Sequence, residues 1–342
     1  MPELRTGALL VNLGTPDSPR VRDVRRYLRE FLSDPYVIDL PAVPRWLLLN
    51  LVILPLRPRS SARAYGKVWL PEGSPLRVHG QALQEAVAAE LGEGYVVELA
   101  MRYGRPSIPS ALERLAAADV ARIVALPLFP QYSTAATGSV VAKVFDTVER
   151  ISSIPPVETL GPFYDDPGFI AAFAAVARLR LDAFRPDFVL MSFHGLPERH
   201  LRKADVHGPH CLASERCCDA VAEVNRNCYR AQCFATARTL ASALDLATEA
   251  YGVAFQSRLG RTPWIRPYTD EVLPELARKG VRRLAIVCPA FVADCLETLE
   301  EIGIRGREQW HALGGEDLTL VPSLNADPAW VRATADLIRS AA

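Results

Sequence analysis

Phe188-Val189-Leu190-Met191, running into Ser192-Phe193-His194-Gly195-Leu196-Pro197, is the stretch on which the reading of this chain turns. Successive apolar residues without polar alternation suit a parallel strand buried on both faces. The strand is expected over 188–192, so a histidine stands where strand gives way to loop. In open α/β sheets, ligands bind beyond the carboxyl ends of the strands. A second run, Leu284-Ala285-Ile286-Val287, leads into Cys288-Pro289-Ala290-Phe291-Val292-Ala293-Asp294-Cys295-Leu296-Glu297-Thr298. Asp294 and Glu297 therefore follow another strand end. A neutral imidazole facing a carboxylate moves protons or holds a metal.

Outward from these two runs, strand and helix patterns alternate. Ala8–Leu13, Tyr95–Met101, Arg122–Leu128 and Val253–Gln256 read as further strands. Pro109–Ala118, Phe169–Ala183, Ala235–Ala247 and Asp270–Lys279 read as helices between them. Ser18-Pro19 reads as an N-cap with proline at the first helical position, followed by Val21, Val24, Leu28, Phe31 and Leu32 at helical spacing. This βαβα order predicts an α/β fold of two similar doubly wound, Rossmann-like domains, each a parallel sheet flanked by helices. Arg122-Ile123-Val124-Ala125-Leu126-Pro127 and Arg283-Leu284-Ala285-Ile286-Val287-Cys288-Pro289 share one pattern: a basic residue, an apolar run, then proline. The expected domains are 1–156 and 157–342, divided near Pro155-Pro156, with the last helix, Asp327–Ser340, packing back on the first. No GxGxxG or Walker A motif is present, which removes the main support for a dinucleotide or P-loop site.

The 342 residues are 49% hydrophobic and 23% charged, as in globular proteins with real cores. Lys+Arg and Asp+Glu both number 39, and no basic stripe points to nucleic acid. Met1-Pro2-Glu3-Leu4-Arg5 opens without a basic start and apolar h-region, so a cytoplasmic, reducing setting without disulfides is expected. No segment reaches the roughly 18 apolar residues of a spanning helix. Trp46-Leu47-Leu48-Leu49-Asn50-Leu51-Val52-Ile53-Leu54-Pro55-Leu56, followed by Arg57, Arg59 and Arg63, has two readings. One is a buried helix; the other is an interfacial lip with arginines near lipid phosphates.

Each candidate residue carries a plain reading beside the functional one. His194 is either a hydrogen-bonded loop histidine or a working group. Glu297 and Glu301, four apart, share one helix face, either as a solvated acidic face or as a carboxylate track passing a cation inward. Trp264 is either core or the wall of a flat aromatic pocket. Five of the seven cysteines, Cys211, Cys217, Cys218, Cys228 and Cys233, fall close together behind His207 and His210. Their spacing leaves structural zinc and an iron–sulfur cluster both open.

Taken together, six segments resemble the ferrochelatase family, in the family's order and spanning nearly the whole chain. They are Leu10–Pro16, Pro130-Gln131-Tyr132-Ser133, Ser192–Pro197, Gln256–Gly260 with Pro263-Trp264, Thr269-Asp270-Glu271, and Asp294–Leu299. The resemblance implies a chelatase-like fold and insertion of Fe2+ into protoporphyrin IX to give protohaem, the terminal step of haem biosynthesis. It puts His194 and Glu297 at the catalytic positions, also meeting the substrate Fe2+, and Asp294 and Glu301 on an iron path. Leu13, Arg102, Tyr103, Phe129, Ser133, Trp264 and Phe291 fall at substrate-binding positions. Leu13 stands where relatives using coproporphyrin tend to carry tyrosine, and Arg102 is a candidate partner for a propionate. Residues 36–63 match the family's active-site lip, implying peripheral contact with a membrane surface.

The same resemblance bears on the cysteines. Some bacterial members carry a 2Fe-2S cluster on an internal cysteine-rich segment, here about 205–234, with four of the five clustered cysteines as ligands. Thr134 stands where the animal proteins have their internal cysteine, and no cysteine follows Cys295. Alternatives are a chelatase for another tetrapyrrole such as coproporphyrin III or for cobalt, a non-catalytic haem or iron–sulfur carrier, and a zinc hydrolase on the cysteine segment.

Overall fold

The computed structural model describes residues 5–260 and 262–341. Residues 1–4, on which the reading of the N-terminus mainly rests, and Arg261, just before the Trp264 segment, lie outside the described residues. The chain divides into two compact units. The first comprises Met1–Phe129, Thr134–Pro162 and Val331–Ala342; the second comprises Pro130–Ser133 and Phe163–Trp330.

The first unit holds strands β1 (Thr6–Thr15), β2 (Tyr95–Gly104), β3 (Arg122–Pro127) and β4 (Val157–Thr159). They form one sheet in the order β2-β1-β3-β4, parallel throughout. Its helices are α1 (Val21–Ser33), α2 (Ala42–Leu47), α3 (Leu54–Val68), α4 (Pro75–Leu91), α5 (Ile108–Ala117) and α6 (Ser139–Val148). Ala8, Leu9, Leu10 and Val11 are completely buried, so β1 is covered on both faces. Leu9 and Val11 join Ile108, Leu112, Leu115, Val140 and Val144 in one core cluster.

The second unit repeats the plan. Strands β5 (Phe188–His194), β6 (Tyr251–Gln256), β7 (Arg283–Val287) and β8 (Asp317–Leu320) form a parallel sheet in the order β6-β5-β7-β8. Helices α7 (Pro167–Phe184), α8 (Glu198–Ala204), α9 (Tyr229–Ala243), α10 (Thr269–Arg278) and α11 (Arg307–Ala312) accompany it. Leu190, Leu284 and Ile286 pack with Leu273, Ile302 and Trp310. The last helix, α12 (Pro328–Ser340), starts in this unit and from Val331 belongs to the first, where Arg339 donates to the Glu90 carbonyl at 2.8 Å. Among the described residues, three segments are π-helical: Leu48–Ile53, Thr134–Gly138 and Glu297–Gly306.

In both units the first strand lies between the second and the third. Chain connections leave it in opposite directions, which opens a crevice at the carboxyl ends of β1 and β3, and of β5 and β7. The Arg-apolar-Pro likeness in the sequence falls on β3 and β7, the equivalent strands. A second likeness appears only in the backbone: Met101 N–H donates to the Pro106 carbonyl at 2.6 Å, and Phe255 N–H to that of Pro267 at 2.8 Å.

The structure also departs from expectation. β4 and β8 are short edge strands, paired on one side only, and Val-Glu-Thr or Asp-Leu-Thr-Leu lacks a strand's apolar run. The N-cap of α1 is Arg20, not Ser18; the Ser18 hydroxyl instead donates to the Asp23 carboxylate at 2.6 Å. α9 begins at Tyr229 rather than near Ala235, so Cys228 caps it and Cys233 lies in it. Cysteines and polar residues on its buried face, such as Gln232 and Thr236, hide the helical period. β5 extends to His194 itself.

Gly14, near the end of β1, has φ +127° and a Cβ there would lie 1.9 Å from the Tyr103 carbonyl oxygen. Gly14→Ala is therefore expected to cost about 3 kcal/mol or more in folding stability, read as a lowered urea midpoint at unchanged slope.

Candidate active site

His194 is the last residue of β5, beside the crevice of the second unit, and is partly exposed. Its Nδ1 lies 2.6 Å from the Gly195 carbonyl oxygen. A carbonyl can only accept, so Nδ1 carries the hydrogen, and in the neutral imidazole the lone pair is on Nε2. The Gly195 N–H donates to the Gln256 carbonyl at 2.8 Å, and the Tyr229 hydroxyl donates to the His194 carbonyl at 2.8 Å. Gly195 has no room for a side chain: a Cβ would sit 2.8 Å from the Gln256 oxygen and 3.2 Å from the Trp264 ring. The Trp264 and Phe291 rings stand 6.5 and 6.3 Å from the imidazole, centroid to centroid. The Trp264 indole N–H is held by the Leu259 carbonyl at 2.9 Å. Both aromatics are partly exposed, so Trp264 is not a core residue.

Gln256 links the histidine to the acidic segment. Its backbone pairs with His194 across β5 and β6, and its side-chain oxygen accepts from Ser192 at 2.8 Å. Its side-chain NH2 donates to the Glu297 carbonyl at 2.9 Å, fixing the start of the π-helix. That helix is wound wider than an α-helix: the Arg307 N–H reaches the Ile302 carbonyl five residues back. The Glu297 carboxylate meets the buried Cys295 thiol, and burial followed by this carboxylate's charge pushes that thiol well up.

The other two carboxylates are engaged. Glu301 accepts from the Ser257 N–H at 2.9 Å and the Ser257 hydroxyl at 2.6 Å, with Ser257 at φ +68°. Asp294 is buried and accepts from Asn325 at 2.8 Å and from Thr298 and the Ser323 N–H at 3.2 Å each. It staples the turn after β8 to the head of the π-helix. Glu300 is buried against Arg305 at 2.8 Å, so it is not part of a solvated acidic face.

In the first unit, Leu13 lies near the carboxyl end of β1 and Phe129 directly after β3. Both are partly exposed. Arg102 and Tyr103, on β2, converge on Asp34, which the Tyr103 hydroxyl meets at 2.7 Å and the Ser139 hydroxyl at 2.6 Å. The Arg102 guanidinium pairs with the same carboxylate and donates to the Ser139 hydroxyl at 2.7 Å. Burial, first of all, raises the Tyr103 phenol far above its ordinary range, so it stays a donor. Asp34 follows α1 and precedes Pro35, and its sequence signal is that of a helix stop alone. Ser133 is buried in the 130–133 segment of the second unit, where Tyr132 N–H donates to Gln232 at 2.6 Å.

The five clustered cysteines are all buried. Cys217 and Cys218 have their sulfurs 3.7 Å apart, and the Cys228 thiol meets both Cys211 and Cys218. Burial raises the Cys211 and Cys217 thiols; the contact with Cys228, then burial, raises Cys218. Cys233 faces the Tyr229 hydroxyl instead. Asp205 accepts the His210 and Cys211 N–H groups at 2.7 Å each, while its other oxygen and His210 Nε2 are buried without a hydrogen-bond partner. Among the described residues, no group of three or more His, Cys, Asp or Glu side chains stands in a metal-holding arrangement.

The Trp46–Leu56 stretch is not a buried helix. Val43 is 68% exposed, Trp46 60%, Leu51 65% and Leu56 72%, while Leu49 and Leu54 anchor it in the first unit. Arg57, Arg59 and Arg63 are exposed beside it. Among the described residues, no helix is long and apolar enough to cross a membrane.

A profile described as ferrochelatase matches residues 5–342. A ferrochelatase of Azotobacter vinelandii is 53% identical over 333 residues, covering 97% of this chain and 98% of that one. One of Coxiella burnetii (strain Dugway 5J108-111) is 50% identical over 335 residues, covering 98% and 93%. One of Legionella pneumophila (strain Lens) is 47% identical over 336, covering 98% and 99%. Among solved structures, SirB from Bacillus subtilis with Fe3+ superposes with a TM-score of 0.55 at 13% identity, covering 98% of this chain and 95% of that one. CbiX, the terminal enzyme for biosynthesis of siroheme in denitrifying bacteria, gives 0.51 at 14%, covering 98% and 99%. These two likenesses concern the two-domain α/β chelatase fold alone. The end-to-end match to ferrochelatases at about half identity decides the matter: the chain belongs to the ferrochelatase family, enzymes that insert iron into a porphyrin.

Proposed function

We propose that the substrate is protoporphyrin IX, that the product is protohaem, and that His194 and Glu297 carry the reaction. The observation that supports this most is the imidazole, its Nδ1 held by the Gly195 carbonyl, with the Trp264 and Phe291 rings each within 6.5 Å of it. A flat macrocycle keeps its two pyrrole hydrogens in the ring plane. Metallation requires the ring to bend, two protons to leave, and Fe2+ to enter. Aromatic walls suit a planar apolar ligand, and binding energy from its remote parts supports the bending. His194 Nε2 is the proton acceptor, and a carboxylate such as Glu297 stabilises the imidazolium that forms. One nitrogen and one oxygen ligand hold Fe2+ without trapping it as several thiolates do. Asp294 and Glu301, with their oxygens engaged, hold the segment's shape in this reading rather than relaying iron. Arg102, bonded to Asp34 and Ser139, likewise positions β2. Leu13, apolar at its position, favours protoporphyrin over the more acidic coproporphyrin III.

His194→Ala should lower the rate of iron insertion by roughly 10²- to 10⁴-fold, measured as anaerobic loss of free-porphyrin fluorescence with Fe2+. The same assay with coproporphyrin III should give a kcat/KM at least about tenfold below that for protoporphyrin IX. Equal turnover of both porphyrins would remove the substrate assignment and leave the histidine's role standing.

The cysteine segment, we propose further, carries a 2Fe-2S cluster on Cys211, Cys217, Cys218 and Cys228. What supports this set is the unbroken chain of thiol contacts through Cys228, with Cys233 turned toward Tyr229. Metal binding would replace each ligating S–H bond by a metal–sulfur bond and release the protons to solvent, so the free energy of loading would become folding free energy of the loop. Porphyrin metallation needs no electron transfer, and the cluster's contribution is to hold the segment. Anaerobically purified protein should contain about two iron and two sulfide per chain. Cys228→Ser should abolish the visible absorption, and Cys233→Ser should keep it.

The lip completes the proposal: the protein is cytoplasmic and rests on a membrane surface, from which a poorly soluble porphyrin reaches it. Exposed Val43, Trp46, Leu51 and Leu56 beside Arg57, Arg59 and Arg63 support it. Replacing Trp46 and Leu51 together by aspartate should weaken co-sedimentation with vesicles of mixed neutral and anionic phospholipid by about tenfold or more. Unchanged binding would exclude the lip as the contact.

A further inference from the structure

We infer that Tyr268 is a positioning residue for Trp264, holding the aromatic wall beside His194 and so setting how tightly the porphyrin binds. This role rests on the reading of Trp264 as a wall of the porphyrin site.

Trp264 has a neighbour on each side of its backbone. On one side it pairs with Pro197 in an isolated antiparallel bridge, three residues past His194. The bonds of that bridge belong to the flanking residues: the Ile265 N–H donates to the Leu196 carbonyl at 2.9 Å, and the Glu198 N–H to the Pro263 carbonyl at 3.0 Å. In such a pair the central residue's own N–H and carbonyl point away from the partner strand. Those of Trp264 both meet the Tyr268 hydroxyl, which accepts from the N–H at 3.3 Å and donates to the carbonyl at 3.0 Å. One phenol satisfies both groups, because a hydroxyl has one hydrogen to give and lone pairs to receive. The indole has little slack, since a Cβ at Gly195 would lie 3.2 Å from it. A shift of the Trp264 backbone is therefore passed to the ring that stands beside the imidazole.

Tyr268 is itself held by two elements. It is buried, and it is the N-cap residue of α10, its carbonyl accepting from the Glu271 and Val272 N–H groups at 3.0 and 2.9 Å. Its backbone also bridges to Phe255 on β6, whose N–H donates to the Pro267 carbonyl at 2.8 Å. Two guanidinium groups lie over its ring, those of Arg258 and Arg266, at 4.4 and 4.3 Å from the centroid. The first turn of α10 meets their charge: Glu271 accepts from Arg258 at 3.3 Å and from Arg266 at 2.9 Å, and Asp270 accepts from Arg258 at 2.6 Å. Carboxylates suit that end of a helix, and cations suit the face of a phenol ring. The hydroxyl is the link from this post to the wall. A flat macrocycle gains from an indole only at contact distance, and a ring fixed in advance has less freedom to lose on binding. Tyr268 therefore acts on porphyrin affinity, while proton acceptance stays with His194.

The test compares the full-length protein with Tyr268→Phe, Trp264→Ala and the double variant. Phenylalanine keeps a ring under the arginines and removes the hydroxyl alone. Three quantities are read: the Kd for iron-free protoporphyrin IX, the split of kcat from KM, and amide hydrogen exchange at Trp264 and Ile265. In Tyr268→Phe the Trp264 amide should exchange at least about tenfold faster, and Kd and KM should rise about fivefold, in line with one lost hydrogen bond. Both kcat and exchange at Ile265, which bonds to Leu196 instead, should stay within about twofold of the parent. Trp264→Ala should weaken porphyrin binding about tenfold or more, and adding Tyr268→Phe to it should change Kd by less than about twofold. Weaker binding in Trp264→Ala with unchanged binding in Tyr268→Phe overturns the positioning role and leaves the wall standing. Additive losses in the double variant do the same. Unchanged binding in Trp264→Ala overturns the wall, and the role of Tyr268 with it. A fall in kcat at constant KM in Tyr268→Phe, with both amides exchanging faster alike, marks a residue that only stabilises the fold and overturns the role as well.

Discussion

The rest of this structure depends on the order of strands in a parallel sheet. With the first strand placed between the second and third, chain connections depart from it to opposite faces, which leaves a crevice at the carboxyl ends of β5 and β7. Side chains leaving those two strands face one opening. His194 ends β5, and the segment from Cys288 to Glu297 follows β7. Neither residue needs to be near the other in the chain for the fold to present both at one crevice.

The crevice supplies nearness, and hydrogen bonds supply aim. The role proposed for His194 as a general base requires its lone pair to point at the proton it takes. Here the histidine's orientation rests on bonds made by main-chain groups: the carbonyls of His194, Gly195 and Gln256 and the N–H of Gly195. Gln256 repeats this economy, since one side chain holds Ser192 on β5 and the backbone of Glu297. The carboxylates around the site divide by the same measure. Asp294 and Glu301 spend their oxygens on backbone and side-chain donors, while Glu297 faces the Cys295 thiol, a weak donor.

The protein also separates rigid and adaptable surfaces. The inner strands are buried on both faces, whereas Val43, Trp46, Leu51 and Leu56 of α2, the following π-turn and α3 are exposed. An exposed apolar row flanked by arginines is costly for a chain that meets nothing, and stable for one that rests on lipid. The cysteine segment solves a different problem. It has little secondary structure of its own, and its sulfurs lie inside rather than at the surface. Contacts among those sulfurs, and the bonds of Asp205 and Asn225, hold it against the start of α9.

What the sequence determined by itself was periodic or local. Apolar runs placed six of the strands, because burial on both faces forces uninterrupted hydrophobicity. The motif around His194 and the order of the six family segments marked the family to which the chain belongs. The edge strands β4 and β8 left no such trace, since strands of three or four residues paired on one side need no long apolar run. The Trp46–Leu56 stretch stayed ambiguous for a related reason: one apolar stretch reads the same whether its face is buried or not, and only the three-dimensional structure shows which of its residues are exposed. Tertiary structure alone decided which carboxylates are engaged, that Arg102 pairs with Asp34, and that Tyr229 reaches the His194 carbonyl from 35 residues away. Hydrogen bonds between distant residues carry no period in the chain. They exist once the sheet has brought their partners together.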